Sequence, residues 1–153
     1  MPLLSLQVPT PVGPLTLIEK DNALVALDWS ESGSFLGTPL LHAVAQQLYQ
    51  YFTGERRDFE FPVAPVCTPV EHKVFLELRQ IPYGTTLGYG EIARRTDSNA
   101  QQVIEACRAN PVPIIVPCHR AIADDGQLGV FEAPKGLETK ADLLRLEGAL
   151  SAA

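Results

Sequence analysis

Pro62-Val63-Ala64-Pro65 most constrains how this chain can fold: two closely spaced prolines fix backbone angles and withhold amide donors. A helix cannot run through such a segment, and neither can an interior strand. It reads as a linker, and the patterning on its two sides differs. Before it, Leu4-Ser5-Leu6-Gln7-Val8 alternates apolar and polar, Pro11-Val12-Gly13 turns, and Leu15-Thr16-Leu17-Ile18 follows. Asp21-Asn22 supplies a tight connection to Leu24-Val25-Ala26-Leu27-Asp28-Trp29, so these segments are antiparallel strands. Leu41, Val44, Ala45, Leu48 and Tyr51/Phe52 keep helical spacing up to a stop at Gly54, and Phe59-Glu60-Phe61-Pro62 reads as one more short strand.

Beyond the linker the period is helical. Thr68-Pro69-Val70-Glu71 is a capping box with proline at the first helical position, opening a helix that turns Val70, Val74, Phe75 and Leu78 inward. Ile81-Pro82-Tyr83-Gly84 ends it. Two short helices, about Tyr89 to Thr96 and Asn99 to Ala109, are joined by Asp97-Ser98, the spacing of a helix-turn-helix. Asn110-Pro111-Val112-Pro113 stops the second, and Ile114-Ile115-Val116 reads as a buried strand. After the turn Asp124-Asp125-Gly126, Leu137, Ala141 and Leu144 form one face of a last helix, with Glu147 near its end. The fold class is α+β, with domains at 1–65 and 66–153.

Chemistry concentrates at Pro117-Cys118-His119-Arg120. Cysteine attacks as the thiolate, and a nearby base or cation lowers the cost of forming it. Successive residues of an extended segment point opposite ways, so His119 is expected to reach Cys118 through a water. Its other nitrogen then needs an orienting partner. Glu147, beside the Leu144 face on a helical wheel, is the candidate, against the alternative of a solvated carboxylate at a helix end. Cys67 and Cys107 read as small buried apolar residues.

Charge narrows the partners. The formal net charge is −6, with 3 basic and 7 acidic residues up to Val66 and 9 basic and 11 acidic after it. A broad nucleic-acid footprint is excluded, while a local basic patch in the second half is not. No apolar run approaches the roughly 18 residues of a membrane span. Met1-Pro2-Leu3-Leu4 lacks the features of a signal peptide, and three cysteines without metal-site spacing favour a reducing cytoplasm.

The segment Asn-Pro-Val-Pro-Ile-Ile-Val-Pro-Cys-His-Arg (110–120) resembles the active-site segment of the O6-alkylguanine-DNA alkyltransferases, the methylated-DNA–protein-cysteine methyltransferases. The resemblance spans nearly the whole chain. Pro14-Leu15-Thr16-Leu17 and Gln47 to Gly54 resemble that family's N-terminal domain; Ile81 to Thr86, Tyr89-Gly90-Glu91-Ile92-Ala93 and Lys135-Gly136-Leu137 resemble its C-terminal domain. It implies a ribonuclease-H-like N-terminal antiparallel sheet with a helix, and a mostly helical winged-helix or helix-turn-helix domain that meets double-stranded DNA from the minor groove. It implies a flipped-out O6-alkylguanine whose alkyl group passes irreversibly to a cysteine, in a monomer that needs no cofactor or metal. By position, Cys118 is the acceptor, His119 the base acting through water, Glu147 its orienter and Asn110 the hinge before the active-site segment. Tyr89, Gln101 and Arg120 fall at DNA-contacting positions, Tyr89 against the phosphate and the flipped base.

The departures fall where DNA is handled. Gln101 stands where the family carries an intercalating arginine, and Gln102, Ile104 and Glu105 replace small residues. Gly88 stands where a serine usually precedes the tyrosine. The Gln127–Lys135 loop is longer than the family's Gly/Ser/Tyr-rich pocket wall, with Phe131 near the place of the pocket tyrosine. Two other readings therefore stay open: a lesion-binding protein that does not repair, and a diverged paralogue with little DNA binding.

Overall fold

The computed structural model describes residues 4–150, in which the chain divides into two compact units, one up to Val66 and one from Cys67 onward. In the first unit, β1 (Leu4–Val8), β2 (Leu15–Lys20) and β3 (Ala23–Asp28) form an antiparallel sheet in the order β1-β2-β3. Leu6 pairs with Leu17, and Leu17 with Leu27, so the three leucines share one buried face. Asp21 and Asn22 both take positive φ, 52° and 63°, the conformation that matches the twist of a two-residue hairpin. Helix α1 (Pro39–Phe52) packs against β1 and β2 and buries Leu41, Val44, Leu48 and Tyr51. The Thr38 hydroxyl accepts from the Leu41 amide at 3.1 Å to cap it.

The strand expected at Phe59–Pro62 does not form. Gln47, from α1, donates to the Glu60 carbonyl at 3.2 Å and accepts from the Glu60 amide at 2.9 Å, so a side chain satisfies the backbone that a neighbouring strand would pair. Pro62 has no amide to donate, and contact with β3 is limited to an isolated Leu24–Val63 bridge.

In the second unit, α2 (Pro69–Leu78) begins with the complete Thr68/Glu71 capping box and buries Val74, Phe75 and Leu78. Val70, expected inside, is 38% exposed because it lies in the first turn. Helices α3 (Tyr89–Arg95) and α4 (Ala100–Ala109) are joined by a turn in which Asp97 takes φ 53°. Asn99 caps α4 and Gln102 reciprocates, completing a second capping box. Two short strands, β4 (Leu87–Gly88) and β5 (Ala121–Ile122), pair in parallel. Helix α5 (Leu137–Leu146) buries Ala141, Leu143 and Leu144, while Leu137 is 43% exposed rather than part of the inward face.

Helix α3 starts on Gly88, which has no side chain to cap it. The Asp124 carboxylate, from just after β5, does so instead and accepts from the Gly90 amide at 3.0 Å. It fills the space a side chain would need: a Cβ on Gly90 would stand 2.7 Å from Asp124 Oδ2, and one on Gly88 would meet Oδ1 closer still.

Candidate active site

The approach to Cys118 is a tight turn and not the strand expected over 114–116. Pro113 and Val116 form an isolated bridge, and Ile114 between them takes φ 75°, a costly conformation for a β-branched residue. Asn110, at the C-terminus of α4, holds the turn from both sides. Its carbonyl oxygen accepts from the Val112 amide at 3.0 Å, and its amide group donates to the Val116 carbonyl at 2.9 Å. The Cys118 amide then donates to the same Val116 carbonyl at 2.8 Å. Three apolar residues in a row carry too little periodicity to separate a strand from a turn; Asn110 and the two prolines select the turn. Cys118 begins a 3-10 turn over Cys118–Arg120, so His119 follows it with a rotation of about 120° rather than pointing the opposite way.

His119 is fully buried, and its Nε2 lies 2.7 Å from Glu147 Oε2. Glu147, just past α5, is 5% exposed and is no solvated helix end. Its two oxygens also accept from Arg120, Nε to Oε1 at 2.8 Å and a terminal nitrogen to Oε2 at 3.0 Å. A carboxylate paired with a guanidinium can only accept, which places the imidazole proton on Nε2. The other nitrogen, Nδ1, is left as a bare lone pair, buried and without a protein partner. Burial pushes the His119 pKa down against the pull of Glu147, so the ring stays neutral and able to take a proton.

Arg120, expected at DNA, is 6% exposed and committed elsewhere. Besides Glu147 it donates to the Ile81 carbonyl at 2.8 Å and lies 5.7 Å from the centroid of the Tyr83 ring. It ties the turn after α2 to the end of α5, and with Glu147 forms a buried, hydrogen-bonded ion pair.

Burial raises the Cys118 thiol pKa; a hydrogen bond from Asn110 and the charge of Lys140 work against that rise. Lys140 is a functional candidate that reading the sequence missed. It is fully buried, donates to the Ala121 carbonyl at 2.6 Å and the Val130 carbonyl at 3.1 Å, and lies 3.4 Å from the Tyr89 hydroxyl. Burial brings its pKa down to about 8. The signal was present, since position 140 lies on the same helical stripe as Ala141 and Leu144, where a lysine is out of place.

Tyr89, the first residue of α3, is 4% exposed, and burial raises its hydroxyl pKa. The hydroxyl also accepts from the Val130 amide at 3.0 Å, so the Gln127–Lys135 loop closes on it. Gly129 makes that approach possible: its φ is 82°, and a Cβ there would stand 2.7 Å from Tyr89 Cε2. Gln101 lies exposed on the outer face of α4, away from this cluster. Cys107 is buried as expected, whereas Cys67 is only half-buried. Among the described residues, no group of three or more His, Cys, Asp or Glu side chains is placed to hold a metal ion.

Residues 69–149 match the family described as 6-O-methylguanine DNA methyltransferase, DNA binding domain, and residues 7–65 match its ribonuclease-like domain. The chain is 36% identical over 151 residues to the constitutive methylated-DNA–protein-cysteine methyltransferase of Bacillus subtilis, covering 90% of this chain and 91% of that one. It is also 36% identical over 147 residues to a DNA base-flipping protein of Thermus thermophilus, covering 94% and 99%. Among solved structures it resembles the Mycobacterium tuberculosis O6-methylguanine methyltransferase, with a TM-score of 0.85 and 32% identity over 99% of this chain and 96% of that one. A complex of the M. tuberculosis protein with DNA matches with a TM-score of 0.83 and 34% identity over 94% and 92%.

Proposed function

The chain belongs to the 6-O-methylguanine DNA methyltransferase family, and from that premise we propose that it repairs DNA by moving an alkyl group from O6-alkylguanine to Cys118 in a single turnover. The observation that carries the assignment of roles is the orphaned, buried Nδ1 of His119, the residue after Cys118, while Nε2 is held by Glu147. A water between Nδ1 and the thiol would pass the Cys118 proton to the imidazole. The thiolate sulfur then attacks the alkyl carbon; the carbon–oxygen bond breaks and its electron pair stays with the guanine. Asn110 and Lys140 lower the cost of the thiolate. Tyr89, whose oxygen accepts from two donors, keeps its own proton free to give to the departing base. The chemistry balances without a redox step, and the thioether product explains why one molecule acts once.

The duplex hides its target atom, so the base must be extruded to reach a site this buried. The DNA carrying O6-alkylguanine is the partner, and the protein acts as a monomer. No helix of the described residues is long and apolar enough to cross a membrane, and the cytoplasm suits free thiols. A second reading, lesion binding without transfer, is favoured by Gln101 at the finger position and by the similarity to the base-flipping protein. Incubation with a duplex containing O6-methylguanine, followed by intact-mass and peptide mass spectrometry, decides between them. A gain of one methyl group on Cys118, absent from Cys118→Ala, is the expected result. An unchanged mass with Cys118 reduced overturns the transfer; tight lesion-dependent binding in the same sample establishes the second reading.

A further inference from the structure

The outward face of α4 is defined by what the helix buries. Val103, Ala106 and Cys107 point inward, which leaves Gln101, Glu105 and Arg108 in one exposed row at spacings of four and three. Both polar side chains that could meet a nucleic acid there are already held by a carboxylate. Gln101 Nε2 donates to Glu105 Oε1 at 3.2 Å. Arg108 Nε lies 3.8 Å from Glu132 Oε1, in the lengthened Gln127–Lys135 loop. The other two arginines of the helix-turn-helix are engaged as well, Arg94 with Glu91, and Arg95 with Glu91 at 3.1 Å and Glu77 at 3.3 Å.

We propose that Glu105 and Glu132 restrain the DNA-facing row of α4, holding Gln101 and Arg108 away from the duplex and so setting the affinity and salt dependence of DNA engagement. This rests on the reading of the chain as a DNA alkyltransferase. The electrostatic part is direct. A carboxylate next to Arg108 cancels the charge that would release a counterion from a phosphate, and Glu105 adds a charge that repels one. Arg108 and Glu132 are 51% and 64% exposed, so solvent screens the pair and a phosphate can compete for the guanidinium. The helical spacing has a second consequence. An arginine introduced at position 101 would lie one turn before Glu105, an i,i+4 pair, and would be captured by it. Restoring a finger therefore requires two changes, and their effects are not additive.

The experiment measures binding of duplexes, with and without O6-methylguanine, by fluorescence anisotropy from about 50 to 200 mM salt. The proteins are wild type, Glu105→Gln, Glu132→Gln, Gln101→Arg and Gln101→Arg/Glu105→Gln. Glu132→Gln is expected to tighten binding about threefold to tenfold and to steepen the log–log salt slope by about 0.9, the signature of one added phosphate contact. Gln101→Arg/Glu105→Gln should tighten binding by more than the product of the two single effects. Reaction of Cys118 with free O6-benzylguanine, which needs no duplex, should be unchanged by Glu105→Gln and Glu132→Gln. Wild-type binding with an unaltered salt slope in both glutamine variants, or strict additivity in the pair, overturns the proposal alone. Absence of duplex binding in every variant overturns it together with the DNA alkyltransferase reading.

Discussion

Replacing Glu147 by glutamine tests the centre of the site, because it keeps the shape, removes the charge and turns one acceptor oxygen into a donor. Three hydrogen bonds depend on that carboxylate, at 2.7 Å to His119 and at 2.8 and 3.0 Å to Arg120. The side chains of Glu147 and His119 are fully buried and that of Arg120 is 7% exposed. Glu147→Gln leaves the Arg120 charge without a counterion, a change that typically costs about 3–5 kcal/mol. For a unit of this size that lowers the melting temperature on the order of 12 °C or more. The amide nitrogen also presents a donor where His119 now donates. Turning that donor toward the ring moves the imidazole proton to Nδ1 and removes the lone pair that would take up the thiol proton. A general base of this kind contributes about 10²–10⁴ in rate, and single-turnover methyl transfer, measured where both proteins are folded, should fall by that order. A second variant separates the effects. Arg120→Met/Glu147→Met buries no orphaned charge and should recover most of the stability, yet stay slow because nothing orients His119. Transfer by Glu147→Gln within about twofold of the wild-type rate would refute the base assignment, as would a fast double variant.

Lys140→Met should slow transfer by about tenfold to a hundredfold, one to two pKa units' worth of lost support for the thiolate. The wild-type pH–rate profile should bend downward above about pH 8, where Lys140 loses its proton, and the variant should show no such bend. Stability responds to the same group with a definite sign. Its folded pKa of about 8 lies below its ordinary value of 10.5, so the charged lysine costs stability at every pH below 8. That cost is relieved as pH rises from 8 to 10.5, by at most about 3 kcal/mol. Denaturant titrations at pH 7.5 and 10 should show this relative gain in wild type and not in Lys140→Met. Gly129→Ala forces a Cβ into a left-handed position and against the Tyr89 ring. It should cost about 1 kcal/mol or more from the backbone alone and slow transfer by displacing Tyr89; unchanged melting and transfer would remove Gly129 from the site.

Much of the fold could be read from local chemistry. The hairpin at Asp21-Asn22 and the Thr68/Glu71 capping box depend on residues a few positions apart, and each formed where the pattern placed it. What escaped depends on partners distant in sequence. Phe59–Pro62 is apolar enough for a strand, but Gln47 takes up the Glu60 backbone. Ile114-Ile115-Val116 has the composition of a strand, but Asn110 folds it into a turn. At the site, a carboxylate near the end of α5 was legible as a possible partner for His119, whereas its hold on Arg120 was not. An arginine beside a histidine looks like a solvated cation until a buried counterion, here 27 residues away, is seen.

The aspartate cap on α3 has a bearing on which sequences can reach this fold. Asp124 and Gly88 form one steric unit across 36 positions, because the carboxylate occupies the volume that a side chain at 88 would fill. A serine at 88 could cap α3 itself once the end of the Asp124 side chain swung aside. The two caps compete for one space, and only one is present here: without Asp124, Gly88 has no side chain to take over. Transplanting Gly88 and Tyr89 with their neighbours into a relative would therefore carry the cap on α3 only if Asp124 travelled with them.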